Sequence, residues 1–284
     1  MKLATLRTDG ESTTAALAVG ADSYVALPAT DVGALLAKPL WREVVGKAAG
    51  AVTRTVIKAG DANFAPLLPN AGKVICCGLN YGDHIQEMGR ELPEYPTLFA
   101  KYADTLVGAA DTIEVRGSDR VDWEAELAVV VGSELFRADE EQAEAAIAGY
   151  TVANDVSMRD WQNRTLQWFQ GKAFDGSTPV GPVLVTAEEP DDDFDVYCYV
   201  NGDVVQKGNT GTLVFGPAKL LSYISQFTTL RPGDLVLTGT PGGVGMGMNP
   251  PRFLKDGDVL TTEITGIGRL ENVVRIHPTA STKE

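Results

Sequence analysis

The feature that most constrains this chain is a nearly continuous apolar strand that begins with two carboxylates. Residues 127–131 read Leu-Ala-Val-Val-Val, a run typical of a strand buried inside a sheet. Glu124 and Glu126 precede this run at positions i and i+2, so their side chains would share one face of a strand. Two carboxylates so close repel each other unless a cation or a proton lies between them. The pair is compatible with a metal site or with an exposed strand end.

Short β patterns run through the rest of the chain. We predict strands at 2–8, 15–20, 73–77, 126–131, 150–156, 196–200, 204–207, 234–238, 259–264 and 268–276. The dipeptide Asn201-Gly202 between two of them is a strong hairpin signal. We predict helices near 31–36, 39–51, 140–148, 157–167 and 218–226. The pattern indicates a mainly β (α+β) fold with scattered helices.

The charge is distributed unevenly along the chain. The sequence holds 24 Lys and Arg against 38 Asp and Glu, a net charge of −14, with +1 in residues 1–70 and −15 in residues 71–284. The change coincides with a proline-containing loop at 66–72, so we predict a small N-terminal domain over 1–70 and a larger domain over 71–284. Such an acidic chain lacks the basic face that binds nucleic acid or an anionic membrane, and we expect neither as a partner.

The location of the protein is predicted from what the sequence lacks. No apolar run approaches the roughly 18 residues that span a bilayer, and the first residues lack the apolar core of a signal peptide. The three cysteines, Cys76, Cys77 and Cys198, form neither a disulfide framework nor a C-x-x-C pair. Cys77 could be a nucleophile, but a small buried residue in a strand is the favoured interpretation. We expect a cytoplasmic protein.

A third acid strengthens the metal interpretation. The predicted strand at 150–156 ends near Asp155, ahead of a polar segment. Three carboxylates are hard oxygen donors, which suit Mg²⁺, Mn²⁺ or Ca²⁺ better than Zn²⁺. An N-cap for a helix that starts at Ser157 is the competing interpretation of Asp155.

Several further side chains could carry chemistry. His84 and Glu87 stand at i and i+3, where a carboxylate can raise the pKa of an imidazole and orient it as a general base, although a surface pair would look the same. Lys172 could present its ammonium group to a developing anion or be exposed. Arg159 and Gln162 follow Asp155 by four and seven positions.

The glycine-rich segment 238–247 is not a nucleotide-binding motif. No Lys-Ser/Thr pair follows it, and Asn249-Pro250-Pro251 stands where a dinucleotide-binding fold needs a helix. We interpret it as a tight turn whose backbone N–H groups and Thr240 hydroxyl contact a small anion such as a carboxylate.

Together these segments resemble the fumarylacetoacetate hydrolase family over residues 73–275. Five short motifs occur in family order, and as a set they are highly specific. They are Gly78-Leu79-Asn80-Tyr81 with His84 and Glu87, Asp122-Trp123-Glu124-Ala125-Glu126, Asn154-Asp155-Val156-Ser157-Met158-Arg159-Asp160, Gly171-Lys172-Ala173-Phe174-Asp175, and Gly239-Thr240-Pro241. The resemblance implies a β-roll or barrel-like sandwich, in a homodimer, with Mg²⁺ or Mn²⁺ (Ca²⁺ as an alternative) on Glu124, Glu126 and Asp155.

The resemblance also implies roles for the remaining candidates. His84, held by Glu87, would activate water, and Lys172 with Arg159 and Gln162 would stabilise the oxyanion or enolate. The residues that would contact substrate or shape its pocket are Thr240, Gly239, Gln206, Lys101 and Tyr102, the last replacing a proline common in relatives. We expect a small 2-oxo acid substrate and a metal-dependent hydrolase that cleaves a carbon–carbon bond in an acylpyruvate-like 1,3-diketo acid. The alternatives are an isomerase of unsaturated 2-oxo diacids, an oxaloacetate decarboxylase, or a catalytically silent metal-binding homologue.

Overall fold

The computed structural model describes residues 1–8, 12–51, 55–82, 85, 91–187 and 193–277. Within these ranges, no helix is long and apolar enough to cross a membrane. The strands are β1 Lys2–Arg7, β2 Thr13–Val19, β3 Ser23–Ala26, β4 Val56–Lys58, β5 Val74–Gly78, β6 Thr97–Lys101, β7 Leu106–Val107, β8 Ile113–Arg116, β9 Val121–Asp122, β10 Ala125–Val131, β11 Ile147–Asn154, β12 Ser157–Met158, β13 Thr178–Thr186, β14 Asp195–Val200, β15 Asp203–Asn209, β16 Leu235–Leu237, β17 Val259–Ile264 and β18 Gly268–His277.

Helices are fewer and mostly short. The α-helices are α1 Val32–Leu36, α2 Trp41–Gly50, α3 Glu140–Ala145, α4 Arg159–Gln162, α5 Phe169–Lys172 and α6 Pro217–Ser225. Single 3₁₀ turns lie at Ala59–Asp61, Ala103–Thr105, Thr210–Thr212 and Gly245–Gly247. The mainly β (α+β) class is therefore confirmed.

The apolar strand β10 lies inside the larger sheet. The sheet runs in the order β4-β3-β2-β1-β13-β11-β10-β16-β5-β6, with β7 also paired to β13. Every residue of β10 is buried, as its apolar run predicts. Its antiparallel partner β11 pairs Asn154 with Ala125, so the end of β11 lies beside the start of β10. This register brings the polar residues that flank the two strands to the same edge of the sheet.

The first 70 residues extend this same sheet. Strand β1 pairs antiparallel with β13, with Lys2 opposite Val185 and Leu3 opposite Leu184. Strands β2, β3 and β4 then continue the sheet outward, and helices α1 and α2 contribute Leu35 and Val45 to its core. The segment thus shares backbone hydrogen bonds with the second part of the chain.

A smaller sheet packs on the large one to form a sandwich. It runs in the order β15-β14-β17-β18-β8. A common core joins Leu127 and Val152 of the large sheet to Val196 and Leu260 of the small one. The hairpin between β14 and β15 turns at Asn201 and Gly202, both with positive φ, as that dipeptide predicts. The described strands form a sandwich, as the resemblance implies, and they do not close into a barrel.

One helix prediction was too long and another was wrong. The helix expected at 140–148 ends at Ala145, because residues from Ile147 onward pair with β10 and β13. In place of the helix expected at 157–167, the chain forms the two-residue strand β12 and the single turn α4. The N-cap of α4 is Met158, so Asp155 is not a helix cap.

Candidate functional site

The three predicted metal ligands meet at the edge where β10 begins and β11 ends. Glu124 lies between β9 and β10, Glu126 lies in β10, and Asp155 follows β11. The backbone N–H of Asp155 donates to the carbonyl of Glu124 at 2.8 Å, which locks the two segments together. One carboxylate oxygen from each of the three acids lies within 4.8 Å of the others. We call Glu124, Glu126 and Asp155 the acid cluster.

Three cations surround the acid cluster. The Nζ atom of Lys172 lies 2.6 Å from Glu124 Oε2 and 2.8 Å from Asp155 Oδ2. Lys101 Nζ lies 2.6 Å from the other oxygen of Asp155, and Arg159 Nη2 lies 2.7 Å from Glu124 Oε1. All three cationic side chains are buried. Lys101 therefore contacts the acid cluster directly.

The surrounding groups shift the pKa values of Asp155 and Glu126 in opposite directions. Burial alone would raise the pKa of Asp155, but the ammonium groups of Lys101 and Lys172 lower it below its ordinary value. Burial, followed by repulsion from Asp155 and Glu124, raises the pKa of Glu126 well above its ordinary value. Burial would lower the pKa of Lys172, but Asp155 and Glu124 raise it, so this lysine stays cationic.

The donor set fits a divalent cation. Four buried carboxylates, those of the acid cluster and of Asp122, stand against the three cations among the described residues. Glu126 accepts a hydrogen bond from the Gly239 N–H at 2.7 Å and forms no ion pair with any described cation. A bound cation would favour the ionised form of Glu126, the one acid of the cluster without a described cationic partner, and three carboxylates suit Mg²⁺, Mn²⁺ or Ca²⁺.

The sequence alone assigns Asp122 no role, yet its carboxylate connects several parts of the site. Its Oδ1 accepts from the Gly245 N–H at 2.7 Å, and its Oδ2 accepts from Met246 N–H at 2.9 Å and from Arg159 Nε at 2.8 Å. Arg159 Nη1 in turn donates to Gln162 Oε1 at 2.7 Å. One carboxylate thus fixes both the glycine-rich segment and the guanidinium group. Its place beside Trp123 and Glu124 was the only sequence signal.

The glycine-rich segment is folded against the acid cluster. Thr240 Oγ1 donates to the carbonyl of Ala125 at 2.9 Å and accepts from Gln206 Nε2 at 2.8 Å. Gln206 Oε1 accepts from the Ala125 N–H at 3.0 Å. With the Gly239 N–H bonded to Glu126, these donors already have protein partners. Gln206 therefore holds the Thr240 hydroxyl in place by hydrogen bonding.

A cavity of about 280 Å³ opens beside the acid cluster. Its wall includes charged, polar and apolar side chains. The lining includes Tyr81, Glu124, Glu126, Arg159, Lys172 and Thr240. The indole of Trp168 forms another part of the wall, where Gly78 leaves it room that a side chain would fill.

The remaining candidates from the sequence are an exposed ring, two residues outside the described ranges and a thiol in the cavity wall. Tyr102 is 57% exposed, and its ring packs edge-on against Phe169 with centroids 5.4 Å apart. His84 and Glu87 lie outside the described residues. Cys77 lines the cavity, but burial followed by Glu126 raises the pKa of its thiol to about 12, which keeps it protonated and unreactive.

Comparison with known proteins identifies the family. Residues 73–275 match the model described as "Fumarylacetoacetate (FAA) hydrolase C-terminal". The chain is 46% identical over 220 residues to "Oxaloacetate tautomerase fahd2, mitochondrial" of Xenopus laevis, covering 75% of this chain and 69% of that protein.

Two solved structures share nearly the whole fold. Fumarylacetoacetate hydrolase from the psychrophile Exiguobacterium antarcticum has a TM-score of 0.83 and 32% identity, covering 98% of this chain and 100% of that one. The 5-carboxymethyl-2-hydroxymuconate delta-isomerase from Mycobacterium smegmatis has a TM-score of 0.79 and 31% identity, with the same coverage. The family match, these likenesses and the acid cluster lead to one conclusion: the chain belongs to the fumarylacetoacetate hydrolase family.

Proposed function

We propose that the protein is a divalent-metal-dependent enzyme that interconverts the keto and enol forms of a 2-oxo diacid, with oxaloacetate as the first substrate to test. The buried acid cluster beside the ammonium group of Lys172 carries this proposal. The names of the Xenopus tautomerase and the mycobacterial isomerase support it, because both denote isomerisation. This reading replaces the hydrolase as the leading function and develops the isomerase alternative.

The ion we propose for the acid cluster is Mg²⁺ or Mn²⁺, with Ca²⁺ as an alternative. When bound, such an ion supplies a Lewis acid for the 2-oxo group of the substrate. The chain itself supplies the three carboxylates and the largely apolar cavity beside them.

Lys172 and Arg159 are the proposed stabilisers of the enolate. When the proton leaves C3, negative charge develops on the 2-oxo oxygen, and a buried cation stabilises that charge more strongly than an exposed one. Lys172 is 1% exposed and lines the cavity. Arg159 lines the same cavity, and its hydrogen bonds to Asp122 and Gln162 hold its guanidinium in one orientation. We propose that Gln162 acts through Arg159.

We propose His84, paired with Glu87, as the group that takes the proton. In a tautomerase it would accept the C3 proton, and in an acylpyruvate hydrolase it would deprotonate water. Hydrolysis, tautomerisation and decarboxylation share an enolate and differ in whether water is activated. The i, i+3 spacing of His84 and Glu87 in the sequence supports the hydrolase as the second candidate.

Among the proposed substrate contacts of the sequence, Thr240 alone lines the cavity, so the others are proposed to act less directly. Thr240 lines the cavity and is proposed to touch substrate, while Gln206 and Gly239 hold its loop. Lys101 is proposed to orient Asp155. Tyr102, which is exposed, would shape the entrance only.

An assay of two substrates with three readouts tests the proposal. Metal-loaded protein is mixed with fresh oxaloacetate, and ultraviolet absorbance of the enol reports tautomerisation while coupled lactate dehydrogenase reports pyruvate. Loss of diketone absorbance reports acylpyruvate cleavage. We expect wild-type protein to make tautomerisation faster than in a protein-free control. The Lys172→Met variant should lose this acceleration, and the surface control Lys47→Met should keep it. Acylpyruvate cleavage without oxaloacetate tautomerisation would make the hydrolase the correct function.

We also propose that the chain forms a homodimer, as the family resemblance implies. Light scattering should then give twice the mass of one chain, and a monomer at assay concentration would contradict it.

A further inference from the structure

Tyr81 is held rigidly in the cavity wall. The preceding residue, Asn80, donates from its side-chain amide to the carbonyls of Phe215 and Thr238 at 2.9 and 2.8 Å, and accepts from the Phe215 N–H at 2.8 Å. Tyr81 itself forms an isolated antiparallel bridge with Leu213. The backbone on both sides of the phenol ring is therefore fixed without any help from the hydroxyl group.

The hydroxyl of Tyr81 is buried and has no hydrogen-bond partner among the described residues. The residue is 2% exposed, and the absence of a side chain at Gly208 makes room for its ring, since a Cβ there would lie 3.6 Å from Cε1. A buried hydroxyl without a partner is unfavourable, and native proteins hold few such groups without a reason.

Tyr81 and Glu126 line the same cavity. Burial, followed by the nearby carboxylate of Glu126, raises the pKa of Tyr81 above its ordinary value, so the phenol keeps its proton and can donate it. The side-chain amide of Asn80, another donor of the wall, is already engaged with two protein carbonyls.

We propose that the Tyr81 hydroxyl donates a hydrogen bond to an oxygen atom of the 2-oxo acid bound in this cavity, which makes Tyr81 a substrate-binding residue. The inference rests on the proposed function only for the class of ligand. Carboxylate and enolate oxygens accept strong hydrogen bonds from neutral phenols, because the acceptor is charged. The unfavourable free hydroxyl of the unliganded protein is then relieved when the ligand enters.

The variant Tyr81→Phe tests this with three measurements on the full chain. It removes only the hydroxyl and keeps the ring in place. Calorimetric titration with Mn²⁺ alone measures metal affinity, titration of the Mn²⁺-loaded protein with oxalate measures ligand affinity, and thermal unfolding of metal-free protein measures stability. The matched control is Tyr150→Phe, whose ring packs on Phe194 with centroids 5.7 Å apart, away from the cavity.

We expect Tyr81→Phe to weaken oxalate binding by about tenfold, as loss of a hydrogen bond to a charged group does. Its Mn²⁺ affinity should stay within twofold of wild type, and its melting temperature should be equal or higher, because an unpaired buried hydroxyl is removed. Tyr150→Phe should leave oxalate affinity unchanged. Oxalate binding by Tyr81→Phe within twofold of wild type, or a lower melting temperature, would overturn the inference.

The measurements distinguish failure of the proposed function from failure of the proposed role of Tyr81. Wild-type protein that binds oxalate but leaves oxaloacetate unchanged would refute the tautomerase, while a Tyr81→Phe defect in oxalate binding would still support the role of Tyr81. Wild-type protein that tautomerises oxaloacetate, with Tyr81→Phe binding oxalate normally, would refute the role alone. Wild-type protein that binds no oxalate would refute both.

Discussion

Lys172→Met should destabilise the metal-free protein and make its stability depend on metal. The ammonium group is buried and lies 2.6 Å from Glu124 and 2.8 Å from Asp155. Its removal leaves four buried carboxylates against two cations among the described residues, Arg159 and Lys101. Breaking a buried ion pair by removing one partner costs about 3–5 kcal/mol. For a chain of this size we expect a fall in melting temperature of roughly 6–15 °C.

A divalent ion should reverse much of this loss. The ion would replace the positive charge that the substitution removes, and Mn²⁺ at about 100 times its dissociation constant stabilises a folded protein by about 2.7 kcal/mol. Thermal unfolding is followed by circular dichroism for wild type and Lys172→Met, each with chelator and with Mn²⁺. Tautomerase activity of the variant should stay absent even with metal.

The control is Lys47→Met, which breaks an exposed ion pair with Glu43 at 3.7 Å. Such a pair contributes at most about 0.5 kcal/mol, so its melting temperature should barely change. If metal-free Lys172→Met melts within 2 °C of wild type, the buried charge balance described here is wrong.

Three further predictions concern other buried ionisable groups. Glu126→Gln should weaken Mn²⁺ binding but stabilise the metal-free protein near pH 8, as measured by denaturant titration. Burial raises the pKa of Glu126, so wild type loses stability as pH rises above the unfolded pKa of about 4.3. An unchanged Mn²⁺ affinity would contradict this prediction. Asp122→Asn should lower stability by about 3 kcal/mol and raise KM with metal affinity unchanged, because its carboxylate ties the glycine-rich segment to the site; an unchanged KM would refute the link. Burial also raises the pKa of the thiols of Cys76, Cys77 and Cys198. Since unfolded thiols ionise above about 8.5, the three together should lower stability by about 4 kcal/mol at pH 9.5, with no reaction of native protein with a thiol reagent at pH 8.

Patterns with strong local chemistry predicted their elements well. The apolar run at β10 is buried, Asn201-Gly202 forms the hairpin, and the pattern at 218–226 predicted α6, which spans Pro217–Ser225. The acid cluster was also predictable, because carboxylates at the ends of two strands meet when those strands pair. The pairing of these two strands, however, is a tertiary contact that a single sequence does not show directly.

The misses have physical causes. Strand β13, which joins β1 to β11, contains two prolines and a glycine, residues that normally argue against an interior strand. The segment after Ser157 has helical spacing, yet hydrogen bonding of Ser157 and Met158 to β9 overrides it. The role of Asp122 follows from its contacts with residues more than 100 positions away, which periodicity cannot reveal.

The most direct test of the acid cluster as a metal centre is a Mn²⁺ titration of wild type and Asp155→Ala, with chelator-treated protein and circular dichroism to verify folding. Asp155 offers one of the three ligand oxygens that lie within 4.8 Å of one another. We predict one Mn²⁺ per chain in wild type, and no measurable binding in the folded variant. Full Mn²⁺ affinity in Asp155→Ala would contradict the account.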